Sequence, residues 1–244
     1  SDTARLDAEL LMAHALGTTR SDLLMRHMRE PAPASFAALV ERRSANEPVA
    51  HILGRQEFFG LDFAITEDTL IPRGDSETIV QAALDSAGPD ARVLDMGTGS
   101  GALLLAFLSE RPAAKGIGID ISPTALAVAQ GNSEALGLAN RAEFRVASWL
   151  DDGWTDDLGK FDLILCNPPY VEDDAELDPD VRNFEPASAL FAGPEGLDDY
   201  RVVIPQLCKL LSPEGIAVLE IGWKQAGAVS EIASESGFQT ELRQ

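Results

Sequence analysis

The chain has 244 residues, 45% hydrophobic and 24% charged, proportions ordinary for a soluble globular protein with room for one large domain or a large and a small one. Its formal net charge is −21, from 19 Lys and Arg against 40 Asp and Glu, so non-specific attraction to a phosphate backbone is disfavoured and a neutral or basic partner favoured, although solubility explains most of the charge. Two cysteines, Cys166 and Cys208, and three scattered histidines, His14, His27 and His51, provide neither a disulfide framework nor metal-ligand spacing; with no apolar run near the roughly 20 residues of a membrane span and no signal-peptide pattern, the expectation is a reduced, cytoplasmic protein with no metal and no membrane contact.

Residues 1–55 read as three short helices forming a small bundle. Leu6, Leu10, Leu11 and Ala13 to Leu16 make an apolar stripe that ends at Gly17, and Ser21 is placed to cap a second helix through His27. Pro31 and Pro33 break the chain before a third helix, from about Ser35 to Ser44, with Phe36, Leu39 and Val40 inward and Glu41, Arg42 and Arg43 toward water. Residues 56–72 change texture: a Phe58-Phe59-Gly60 turn and the alternating Leu61, Phe63 and Ile65 predict a two-stranded hairpin linker. In the connector after it, Asp75 or Ser76 can cap a helix from Glu77 to Ser86, and Arg73 is a loop cation suited to a ligand carboxylate or to a surface salt bridge within the connector.

Residues 73–244 alternate strand and helix signals. Strands are expected at Arg92–Met96, Gly116–Asp120, Phe144–Val146, Phe161–Leu165 and Ile216–Ile221, and helices at Ala102–Ser109, Pro123–Leu136 and Leu197–Leu211, with a long acidic loop over Val171–Pro186. That alternation predicts an α/β, doubly wound, Rossmann-like parallel sheet, whose site lies beyond the carboxyl ends of the strands near the switch point.

Two motifs fall on those strand ends. Gly97, Thr98, Gly99, Ser100 and Gly101 turn the first strand into a helix, and Asp120 closes the second strand, where a carboxylate can grip both hydroxyls of a ribose. This glycine pattern suits S-adenosylmethionine and nicotinamide cofactors alike. The fourth strand decides between them. It ends in Asn167, Pro168, Pro169 and Tyr170, where the prolines stiffen the chain and remove backbone donors. The Asn167 side-chain oxygen and the Pro168 carbonyl can accept both hydrogens of a planar –NH2 group lying on the face of Tyr170, which orients the nitrogen lone pair toward a methyl donor. No Tyr/Lys or His pair for hydride transfer is evident, so S-adenosylmethionine is the expected cofactor. Trp149, just past the third strand, is placed to cover the adenine.

These segments together resemble the HemK/PrmC family, the protein-(glutamine-N5) methyltransferases that modify the Gln of the Gly-Gly-Gln motif in peptide chain release factors. The likeness is carried by Leu6-Asp7-Ala8-Glu9-Leu10-Leu11, Leu70-Ile71-Pro72-Arg73, Asp95 through Gly101, Asn167 through Tyr170, Phe184-Glu185-Pro186 with Ala189-Leu190, and Gly196-Leu197 followed by Tyr200-Arg201. The resemblance implies a class I methyltransferase sheet, with Gly97 to Gly101, Asp120, Trp149 and Asn167 contacting the cofactor and Asn167 to Tyr170 holding the substrate glutamine amide. It also implies that the helical bundle helps dock the release factor; the charge of −21 with no Lys/Arg cluster argues against a direct nucleic-acid partner, and a monomer is favoured. Departures are Gly74 where the family usually has Pro and Ser148 where an acidic residue commonly precedes the Trp149 position. A usual first helix is missing, and the sequence stops at Gln244 before an expected last antiparallel strand, which would leave a truncated chain with a bare sheet edge. Asn-Pro-Pro-Tyr is shared with adenine-N6 and guanine-N2 methyltransferases, so a nucleic-acid base is the alternative substrate.

Overall fold

The computed structural model describes residues 3–243; residues 1, 2 and 244, at the outer ends of the two expected units, lie outside the described residues. Helix α1 (Ala4–Ala15) buries Leu11 and Ala13, while Leu6 stays 41% exposed and so lies off the predicted stripe. Helix α2 (Arg20–Asp22) is capped by Thr19, whose hydroxyl accepts from Asp22 N, rather than by Ser21, and runs into a π turn over Leu23–His27. Helix α3 (Ala34–Ser44) has no fully buried residue; Phe36 and Leu39 are half-buried, as expected, and Arg43, expected toward water, joins them and donates to Asp7 of α1 at 2.8 Å. Val40, expected inward, is 38% exposed.

A fourth helix that the sequence did not announce, α4 (Val49–Leu53), stops at Gly54 in the left-handed region and leads directly into the hairpin of β1 (Arg55–Phe58) and β2 (Leu61–Ala64). The intervening Phe59 and Gly60 both have positive φ, 53° and 73°, as a two-residue I′ turn requires if its twist is to match the strands. Phe58 and Phe63 are fully buried and meet edge to face, with ring centroids 6.2 Å apart. Asn132 fastens the hairpin to the rest of the molecule, its side chain exchanging hydrogen bonds with the Ala64 N–H and C=O and donating to Ser100 O.

Beyond the connector lies α5 (Glu77–Ser86), at the predicted bounds, although neither Asp75 nor Ser76 caps it; the Ser76 hydroxyl points elsewhere, to Glu220. The strands β3 (Arg92–Met96), β4 (Lys115–Asp120), β5 (Ala142–Val146), β6 (Phe161–Cys166) and β7 (Leu211–Leu219) form one sheet in the order β5-β4-β3-β6-β7, every pairing parallel. They alternate with α6 (Ala102–Glu110), α7 (Pro123–Ala135), α9 (Asp198–Leu210) and α10 (Ala226–Glu235). The expected long loop is broken by a short helix, α8 (Pro179–Phe184).

The continuous apolar runs of β3 and β6 follow from burial on both faces. Val93, Leu163 and Leu165 point into a core with α5, α6 and the hairpin; Leu94, Met96, Ile164 and Cys166 point into a second core with α9 and α10. Chain order reverses between β3 and β6, so the crevice at their carboxyl ends is the switch point of the doubly wound sheet.

Candidate active site at the strand ends

Register places the two sequence motifs side by side. Met96 and Cys166 are partners on the last rung shared by β3 and β6, so Gly97 and Asn167 are the first residues past adjoining strand ends. On the far side, Cys166 is also paired with Leu219 of β7, which sets Glu220 next to Asn167.

The glycine turn is held by its neighbours. Gly97 N and Thr98 N both donate to Ile119 O at 2.9 Å, and Gly99 N donates to the Asp120 carboxylate at 2.9 Å. The other Asp120 oxygen accepts from Ser122 N, so this carboxylate is fixed at the mouth of β4 with lone pairs left for further donors. Gly99 has φ +54° and open space where a Cβ would stand, while a Cβ on Gly97 would come within 3.3 Å of the Trp149 ring. The turn therefore offers close backbone approach, but four of its amides, counting Gly101 N on Thr98 O, are already committed inside the protein, unlike those of a loop that cradles a pyrophosphate. Beneath it, Asp95 is 1% exposed and accepts from the Thr98 hydroxyl at 2.6 Å; burial pushes its carboxyl up to about 7 despite that bond.

Asn167 and Pro169 line a cavity of about 350 Å³ together with Gly97, Thr98, Gly99, Ser100, Asp120 and Trp149. The Asn167 Oδ1 is buried with no hydrogen-bond partner, and no donor reaches the Pro168 carbonyl among the described residues. A buried orphan acceptor is expensive in a folded protein; Asp95 Oδ1 shares that state, but Asn167 is the one of the two whose residue also lines the cavity, where a donor from outside the chain can reach it. Pro168 and Tyr170, expected beside the amide, are not among the lining residues, and the Tyr170 phenol donates to Glu220 Oε1 at 3.1 Å while its main chain bonds to Leu190 and Gln225. Gly101 likewise stays out of the lining, packed instead where a Cβ would press on Leu105 and Ala129. Trp149 is anchored by Nε1 donating to Asp199 Oδ1 at 2.8 Å, and Ser148 also lines the cavity, its hydroxyl accepting from Leu150 N.

The opposite wall comes from the connector and the acidic loop, which the sequence motifs do not show to be partners. Arg73 donates to Glu185 at 2.7 Å, across 112 positions rather than within the connector, and Ile71 N donates to the second Glu185 oxygen at 3.3 Å. The Glu185 side chain is nearly fully buried, and desolvation raises its carboxyl above the ordinary range although Arg73 opposes the shift. This pair carries Leu70, Pro72 and Pro186 to the cavity rim.

The donor set fits S-adenosylmethionine: a carboxylate with lone pairs to spare at a strand end, a glycine turn open to close approach, an indole beside that turn and a mostly apolar cleft lined by Asn167. Among the described residues no group of His, Cys, Asp and Glu is arranged to hold a metal ion, and no helix is long and apolar enough to cross a membrane.

Comparison with known proteins agrees with this geometry. Residues 1–54 match the PrmC N-terminal domain and residues 87–240 a methyltransferase domain. Among curated proteins, the release factor glutamine methyltransferase of Rhodospirillum rubrum is 44% identical over 240 residues, covering 96% of this chain and 73% of that protein. That of Cereibacter sphaeroides is 43% identical, covering 97% of this chain and 85% of its relative. The fold is shared with the precorrin-6y C5,15-methyltransferase of Geobacter metallireducens, at TM-score 0.53 and 16% identity over 74% of this chain and 80% of that one. It is shared also with the ribosomal protein L11 methylase of Lactobacillus delbrueckii subsp. bulgaricus, at TM-score 0.51 and 22% identity over 70% and 72%. From the paired strand ends, the orphan acceptor and these matches over nearly its whole length, the chain belongs to the release factor glutamine methyltransferase family.

Proposed function

We propose that this chain transfers a methyl group from S-adenosylmethionine to the side-chain amide nitrogen of the glutamine in the Gly-Gly-Gln motif of peptide chain release factors. The observation that carries the reading is the unpartnered Asn167 Oδ1, buried at the end of β6 one strand away from the glycine turn. When bound, the cofactor supplies an electrophilic methyl on a sulfonium. Gly97, Thr98, Gly99, Ser100 and Gly101 shape the turn against which it sits, Asp120 takes the ribose hydroxyls, and Trp149 covers the adenine.

The protein's chemical share is orientation and electrostatics. Asn167 Oδ1 and the Pro168 carbonyl accept the two amide hydrogens, holding the weakly nucleophilic nitrogen so that its lone pair faces out of the amide plane. Their dipoles oppose the positive charge that grows on nitrogen during alkylation, and they are already in place before substrate arrives. Pro168 and Pro169 stiffen that arrangement. A strong base is not required, because the nitrogen becomes acidic as it is alkylated.

Residues 1–55 serve in docking the protein substrate, residues 56–72 join them to the reaction domain, and residues 73–244 carry the chemistry. The exposed Leu6, Met25, Met28 and Val40 support a docking role for the bundle, since a protein partner can cover them. Charge supports a protein over a nucleic acid: residues 1–55 hold seven Arg against seven Asp or Glu, so the whole −21 falls on residues 56–244, the part that carries the cavity. The proposed setting is the cytoplasm, where release factors work and where Cys166 and Cys208 stay as free thiols. The test is incubation with methyl-labelled S-adenosylmethionine and a release factor, the same factor with its Gly-Gly-Gln glutamine replaced by Ala, or an oligonucleotide duplex. Label in the first alone supports the reading; label in the duplex transfers the assignment to a nucleic-acid base.

A further inference from the structure

The reaction as described leaves one well-held carboxylate unused. Glu220 follows directly on β7, and four hydrogen bonds converge on it from different parts of the chain. Its N–H donates to Cys166 O at 2.9 Å, and its carbonyl accepts from the Tyr200 hydroxyl of α9 at 2.7 Å. Its two carboxylate oxygens accept from the Tyr170 phenol at 3.1 Å and from the Ser76 hydroxyl at 2.5 Å. Ser76 stands at the start of α5, at the end of the connector that also forms the cavity wall.

We propose that Glu220 is a positioning residue for methyl transfer, its carboxylate locking Tyr170, and through it the Asn167–Pro169 acceptors, against the connector; this rests on the function proposed above. The chemistry calls for a carboxylate. Two hydroxyl donors arrive at once, and an ionised carboxylate offers an acceptor oxygen to each, whereas a glutamine at this position presents one oxygen and one N–H and forces one hydroxyl to turn. Tyr170 is two residues past a proline and one past another, so fixing its ring fixes the direction in which the strand end emerges. Burial, with the Glu220 charge adding to it, pushes the Tyr170 phenol up to about 12, as expected for a phenol that donates to a carboxylate.

The variants are Glu220→Gln, Tyr170→Phe, Ser76→Ala and the Glu220→Gln/Tyr170→Phe double, assayed for methyl transfer to a release factor. Glu220→Gln is expected to lower kcat by about tenfold to a hundredfold, with KM for the release factor and cofactor affinity held within about twofold, because orientation and not binding is lost. The double variant is expected to be no slower than the worse single, since the two residues act as a unit. A readout independent of turnover comes from the two tyrosines of this chain, Tyr170 and Tyr200, which give two Cζ signals in a 13C-tyrosine NMR spectrum. In Glu220→Gln the Tyr170 signal should titrate at lower pH, whereas Tyr200, bonded to the Glu220 main-chain carbonyl and raised mainly by burial with the Glu220 charge a lesser cause, should shift less. Wild-type kcat in Glu220→Gln, or fully multiplicative losses in the double variant, overturns the proposal and leaves the function standing. If Glu220→Gln does not fold, wild-type kcat in both Ser76→Ala and Tyr170→Phe overturns it equally. Should the wild-type enzyme label only the duplex, the substrate reading fails and the same variants decide the role of Glu220 on that substrate.

Discussion

Replacing Asn167 with Ala should separate activity from stability in opposite directions. In the free protein the Asn167 Oδ1 is a buried acceptor with no partner, a state that costs about 1–3 kcal/mol. The side chain borders an existing cavity, so its removal enlarges open space instead of creating a void in a packed core. Asn167→Ala is therefore expected to unfold at an equal or higher denaturant concentration than the wild type. Turnover should move the other way. Losing one of two acceptors that oppose the growing charge on nitrogen removes a charge-assisted hydrogen bond in the transition state, and about 2.7 kcal/mol of that is a hundredfold in kcat. Affinity for S-adenosylmethionine, measured by calorimetry, should change by less than about threefold, because uniform binding is largely retained. The assay is single-turnover methyl transfer to a release factor beside urea denaturation. A variant that keeps wild-type turnover, or one that is less stable by more than about 1 kcal/mol, would show that Asn167 Oδ1 is a structural group, and the reasoning would fail.

Three further substitutions probe the supports of the site. Asp95 holds its proton up to about pH 7 when folded but ionises near 3.8 when unfolded, so its contribution to stability is complete below about pH 4, declines as pH rises and is gone above about 7. Relative to Asp95→Asn, the wild type should lose up to about 4 kcal/mol between pH 4 and 8 in chemical denaturation; parallel pH profiles would contradict the raised value. Arg73→Ala leaves the buried Glu185 carboxylate unpaired and should destabilise by about 1–3 kcal/mol at pH 8. Because the Glu185 carboxyl is raised already, and further without Arg73, protonation favours the folded state and the deficit should shrink toward pH 5; a pH-independent deficit would rule out the charge as its cause. Asn132→Ala breaks three hydrogen bonds joining the hairpin to the glycine turn and should cost about 2–4 kcal/mol together with a several-fold loss of cofactor affinity, read by thermal unfolding and calorimetry. Unchanged cofactor affinity would confine Asn132 to a structural role.

The secondary structure was legible wherever local chemistry is decisive. The runs Arg92–Met96 and Phe161–Cys166 admit only a strand buried on both faces, and Phe59-Gly60 between alternating apolar residues is a hairpin turn on sight. The bundle was harder, because the inward face of α3 runs from Phe36 and Leu39 to Arg43, tied to Asp7, and leaves Val40 exposed, a choice that depends on the charge α1 presents. Helix α4 was missed for a related reason: five residues between Pro48 and Gly54 are too few to display a period.

The same division holds at the site. The sequence by itself determined the chemical parts: the glycines where a backbone must pass close, the Asp120 carboxylate at a strand end, and the proline-stiffened acceptors from Asn167 to Pro169, since each depends on residue type and immediate neighbours. Only the tertiary structure decided which parts meet. Asn167 stands beside Gly97 because β6 pairs with β3 in one register, Arg73 finds Glu185 and Ser76 finds Glu220 across 112 and 144 positions, and Tyr170 turns to Glu220 instead of the cavity. Such pairings depend on strand order and on which buried donors still lack an acceptor once the sheet has closed, quantities that belong to the packed chain as a whole and to no stretch of it.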